Sequence, residues 1–161
     1  MLFEWLTALQ EVPFVAALRN GRWSYAAVNA THIVGIALLF GAIVPLDLRL
    51  MGFWRSVPIR TLARILVPIA VAGLVIAMTA GALLFSIRAV QYAETTLFQI
   101  KLVLILCGIA NALLLRLANQ WEASQAAAGI TPPLRLRTAG ALSITLWLSV
   151  IVCGRMLAFV D

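Results

Sequence analysis

The sequence is short of the residues that build soluble enzymes and metal centres. Only 11% of its 161 residues are charged, against roughly 25% in a water-soluble domain. It holds one histidine and two cysteines, Cys107 and Cys153, each alone inside an apolar run. No CxxC or metal-finger spacing exists, so both cysteines read as small packed hydrophobes. A bare zinc or copper ion, which wants three or four protein ligands, lacks donors here. No nucleophile–base pair is credible either, because His32 and Asp47 belong to opposite ends of one helix. A chain of this length and composition has no room for a second globular domain or a nucleotide-binding fold.

What the chain has instead is apolar surface. Hydrophobic residues make up 63% of it. They gather into four runs, each long enough to cross a bilayer of about 30 Å, which takes roughly 20 helical residues. The reading is an all-α integral membrane bundle, one transmembrane domain over 1–161, with spans at about 24–44, 65–87, 95–117 and 138–160. An N-terminal amphipathic interfacial helix is expected over 2–19. There Leu2, Trp5, Leu6, Leu9 and Val12 share one side, and Pro13 breaks the run. The opening MLFEWLTALQE lacks the basic start of a signal peptide and is expected to be part of the folded chain. Trp5 and Trp23 fit an aromatic belt.

Punctuation along the chain supplies boundaries. Pro45 is expected to end the first span, Ser56 to cap the second helix, and Pro58 to sit in its first turn. The third helix is expected to run on through Trp121 towards a linker at Gly129 and Pro132–Pro133. Gly73, Ala77 and Gly81 repeat at i+4, a stripe that lets a neighbouring helix approach closely. Ser143, Thr145 and Ser149 read as helix–helix hydrogen bonders.

The formal charge of +6 could suggest nucleic acid. The arginines, however, sit at the ends of the apolar runs, where headgroups and topology explain them, so the partner is the lipid bilayer and not nucleic acid. Seven arginines lie in the loops after spans one and three and four on the opposite side. That bias puts the loops in the cytoplasm and both termini outside.

The intramembrane polar residues converge on one leaflet. His32 lies about 12 Å from the outer end of span one and Lys101 about 9 Å into span three, at 1.5 Å per residue. Arg155 is about as deep in span four, and Arg88 and Tyr92 occupy the outer loop between spans two and three. Tyr25, Asn29, His32 and Gly35 share one helix face, and Glu94, Lys101, Gly108 and Asn111 another. Ionisable groups at this depth are costly unless they face the bundle interior, so both stripes should point inward. A haem needs only an axial ligand from the protein, because the porphyrin supplies four nitrogens. His32 would be that ligand. Lys101, Arg88 and Arg155 would meet the propionates, and Gly35 and Gly108 would leave room for a flat ring. The competing reading is structural: His32 hydrogen-bonds a neighbouring helix, with Asn29 or Thr31 as local partners, and Lys101 and Arg155 snorkel to headgroups.

The stretch THIVGIALLFGAIVPLDLRL resembles the first core helix of bacterial membrane proteins of the copper-resistance D type and of the HemJ-type protoporphyrinogen oxidases. The shared pattern is an early His, a Gly one to three turns later and a basic residue after the helix. AETTLFQIKLVLILCGIANALLLRLAN similarly resembles their later helix, with an inward lysine near its start. The resemblance covers about half the chain and lacks the further histidines of the HemJ type; Leu50 and Asn111 stand near where they would be. It implies a four- or five-helix bundle; the expected location is the bacterial inner membrane, with both termini periplasmic by the arginine bias. It further implies His32 as a haem ligand, with Lys101 near substrate or propionates. The expected function is a haem b-binding protein that moves electrons or serves porphyrin chemistry. A sixth ligand would come from His32 of a second protomer or from Met156, and a homodimer or a redox subunit would be the protein partner. Two alternatives stay open: copper or other metal-ion transport, dependent on Met78 or Met156, and a structural subunit of a membrane complex.

Overall fold

The computed structural model describes residues 2–117 and 132–159, and every regular element among them is helical. The order is α1 (Leu2–Glu11), α2 (Pro13–Asn20), α3 (Arg22–Met51), α4 (Ile59–Ile87), α5 (Ala89–Glu94), α6 (Thr96–Leu117) and α7 (Leu134–Met156), followed by a 3₁₀ turn at Leu157–Phe159. Helices α3, α4, α6 and α7 are each long and apolar enough to cross a membrane. The chain is therefore an all-α membrane bundle with an amphipathic N-terminal segment. That segment is two short helices, because Pro13 opens a second one instead of only ending the first.

Boundaries move where proline is involved. Pro45 lies inside α3 and does not end it. Its ring already has a helical φ, and its missing N–H strands only the carbonyl of Gly41, a loss transmembrane helices tolerate. The helix thus runs on to Met51 and stops at Gly52. There a φ of 106° and hydrogen bonds from Gly52 N to Arg49 O and from Phe53 N to Leu48 O form a left-handed cap. The extra turns carry Asp47 and Arg49. Helix α4 begins at Ile59, six residues before the expected 65. Pro58 occupies the capping position, so Ser56 is not the cap and Pro58 is not within the first turn. Helix α7 spans Leu134–Met156 where 138–160 was expected, with Pro133 before it. Trp121 and Gly129 fall outside the described residues.

Helix α3 is the central element, packed on α4 along one side and on α7 along the other; α6 packs mainly on α7. The middle of the bundle is filled by Trp147, 6% exposed, with Leu39 and Val150 and a ring of half-buried residues from α3, α4 and α6. At one end Val15 and Leu18 of α2 pack on Ile87, and α5 closes the turn between α4 and α6. This is called the α5 end below. At the other, the loop end, Leu50, Ile59 and Leu136 are fully buried together. Helix α6 packs Leu104, Ile105 and Ile109 on the core and leaves Leu106, Leu114 and Leu117 exposed, as a lipid-facing helix does.

Candidate functional site

His32 sits on α3 at the contact with α4. Its Nδ1 lies 2.8 Å from the carbonyl oxygen of Ala77. A carbonyl only accepts, so Nδ1 carries the proton and donates, which leaves Nε2 with its lone pair. Gly81 lies directly beneath the ring: a methyl group there would meet Cε1 at 3.0 Å and Nδ1 at 3.3 Å. The glycine is what lets an imidazole fit between two transmembrane backbones.

The small-residue stripe works as read from the sequence, but its partner is Gly35. A Cβ on Gly35 would stand 2.5 Å from Ala77 N, and one on Gly73 would stand 2.5 Å from Leu39 N. Gly35 therefore provides backbone contact between α3 and α4 and no room for a ring. Gly108 is likewise filled: the Trp147 indole would lie 3.1 Å from a Cβ there. A flat ring does use that space, and it belongs to the protein.

Lys101 faces α7, with its Nζ 3.3 Å from where a Cβ of Gly154 would be. It is half-buried and lies within electrostatic range of His32. The inward stripe on α6 holds for Lys101, Gly108 and Asn111, the last donating from Nδ2 to Ala139 O at 3.1 Å. Glu94 ends α5 and is exposed, so it does not belong to that stripe. Of the four-residue stripe on α3, His32 and Gly35 turn inward; Tyr25 and Asn29 are exposed, and Thr31 bonds its own helix at Ala27 O. The remaining expected residues lie at the α5 end without meeting His32. Arg155 is exposed, its guanidinium 4.9 Å from the Phe159 ring centre. Arg88 is exposed, and Tyr92 stacks with Phe85 and Phe98.

Hydroxyl groups on α7 divide. Thr145 and Ser149 bond carbonyls of their own helix, Ala141 and Thr145 respectively, and do not bridge helices. Ser143 is buried and lies beside the Asp47 carboxyl across the α3–α7 contact. Among the described residues no group of three His, Cys, Asp or Glu side chains could hold a metal ion, and Met78 and Met156 are exposed.

Sequence reasoning passed over the loop-end polar residues. Asp47 is 5% exposed and Arg49 fully buried. Arg49 donates from Nε to Val57 O at 2.6 Å and from Nη2 to Arg55 O at 3.4 Å, stapling the α3–α4 loop to the bundle. The available signal was two opposite charges two residues apart, just beyond a proline that the helix absorbs. No protein family, curated protein or solved structure matches this chain.

Proposed function

We propose that the protein binds haem b in the bacterial inner membrane, with His32 as the axial ligand and its loops after α3 and α6 in the cytoplasm. The observation that carries this reading is the hydrogen bond from His32 Nδ1 to the Ala77 carbonyl. Ligating histidines characteristically donate their second nitrogen to such a carbonyl, which orients the ring and raises the basicity of the ligand nitrogen. Haem asks the protein for little more than one such nitrogen and cations for its propionates. Lys101, within electrostatic range of His32, is the cation; Arg88 and Arg155 lie at the same end of the bundle. Gly35 and Gly108 take no part, because the α4 backbone and the Trp147 ring occupy their space. When bound, the group would supply one-electron chemistry.

A second reading rests on the same hydrogen bond. A histidine already satisfied by a neighbouring helix can be purely architectural, and the filled glycines favour a structural subunit of a membrane complex. One experiment separates the two. The purified protein, titrated with haem, is examined oxidised and dithionite-reduced. Haem binding predicts a Soret band that His32→Ala abolishes and Lys101→Ala weakens. A wild type whose spectra after titration are those of free haem alone overturns haem binding and leaves the structural role.

A further inference from the structure

The bundle carries a further intramembrane ionisable group, far from His32. Asp47 stands fifteen residues later on α3, about 22 Å away at the helical rise, beyond the layer that Trp147 fills. Its side chain is 5% exposed, and its Oδ2 is buried with no hydrogen-bond partner. Its polar neighbour across the contact is the buried Ser143 side chain of α7.

The arginines at this end are bonded to loop carbonyls or exposed. Arg49, on the same helix, spends its donors on the loop carbonyls of Val57 and Arg55, and its Nη1 is itself unpartnered. From the loop, Arg55 donates to Gly52 O and is exposed. Arg60 and Arg64 of α4, Arg116 of α6, and Arg135 and Arg137 of α7 are exposed. The α6 side chain near this level, Asn111, is neutral and donates to Ala139 O. The stretch 118–131 contains no Lys, Arg or His. A carboxylate buried without a cation does not keep its charge in a medium this apolar; it takes up a proton instead. The donor set is too small for a metal cation, which would need several more oxygen atoms than one carboxyl and one hydroxyl.

We propose that Asp47, with Ser143 as its polar neighbour, is a proton-binding site: a carboxylic acid held neutral in the loop-end half of the bundle. The site is independent of haem, because it shares no residue with the His32 end.

Infrared spectroscopy of the full chain in lipid nanodiscs tests this. A neutral carboxylic acid shows a carbonyl stretch apart from the amide and carboxylate bands, and this stretch shifts in deuterated water. The wild type should show that band at neutral pH, and Asp47→Asn should lose it. Labelling aspartate with ¹³C at the carboxyl requires no variant, and since the chain has only Asp47 and Asp161 the band should move with the label. Ser143→Ala should shift the band without removing it. The proposal is overturned by the absence of the band at neutral pH, by a band indifferent to the aspartate label or to Ser143→Ala, or by a carboxylate band that responds to added sodium or potassium.

Discussion

Replacing Gly35 with alanine adds one methyl group where two helix backbones already touch. That carbon would stand 2.5 Å from Ala77 N, 2.9 Å from Ala77 Cα and 3.0 Å from Gly73 O. Carbon contacts are comfortable at roughly 3.5 Å, so α3 and α4 must part by about 1 Å. All three obstacles are backbone atoms, and none can rotate aside. Overpacking of this kind costs about 1–3 kcal/mol. Parting the helices also stretches the His32–Ala77 hydrogen bond, and such interhelical bonds are worth about 0.6–2 kcal/mol in membranes. The expected loss is about 2–4 kcal/mol. Gly41, on the same helix, is the internal control: a Cβ there meets nothing within 4 Å. Gly41→Ala should be neutral or stabilising by about 0.5–1 kcal/mol, the ordinary gain of alanine over glycine in a helix. Unfolding in mixed micelles by added SDS, followed by circular dichroism, measures both. Equal midpoints for the two variants would refute the close-contact account. A cycle adds a sharper check, because His32→Ala should cost less in the Gly35→Ala background, where its hydrogen bond is already strained.

Trp147→Ala should destabilise the bundle by about 3–5 kcal/mol, since it empties the centre of the core; a loss under 1 kcal/mol in the same titration would place the tryptophan elsewhere. Gly108→Ala should cost less than Gly35→Ala, because the obstacle at 3.1 Å is a side-chain ring that can shift. Arg49→Ala frees two loop carbonyls and should accelerate proteolysis between residues 52 and 58, with a stability loss of about 1–3 kcal/mol. Unchanged cleavage there would mean the loop holds itself. Asp47→Asn should alter stability by less than about 1 kcal/mol, as an amide replaces a neutral acid of the same shape. A severe loss would point to an ionised, paired carboxylate.

The membrane architecture was legible in the sequence for a simple reason. In lipid every backbone polar group must be satisfied within the helix, so a run of about 20 apolar residues can only be a span. Depth was legible too: at a fixed rise per residue, His32 and Lys101 had to fall in the same half of the bundle, and the structure puts them within electrostatic range. The close-packing stripe of Gly73 and Ala77 followed from residue size.

Rotation of each helix about its axis was a different matter. In water an apolar face marks the inside, but lipid is as apolar as the core, so hydrophobic pattern does not distinguish the two. Tyr25 and Asn29 share a helical stripe with His32 and yet end exposed, while Asp47, at the far end of α3, ends buried against Ser143. Which neighbour fills a glycine's space was equally undetermined: Gly35 meets a backbone and Gly108 meets an indole. Sequence alone therefore specified four spans, their limits to within a few residues away from proline, and the shared half of His32 and Lys101, whereas Arg155, expected as deep as Lys101, lies exposed in the last turn of α7. Tertiary packing decided which of those groups face one another, because only the mutual fit of small residues, tryptophan and unsatisfied polar atoms breaks the symmetry between lipid and core.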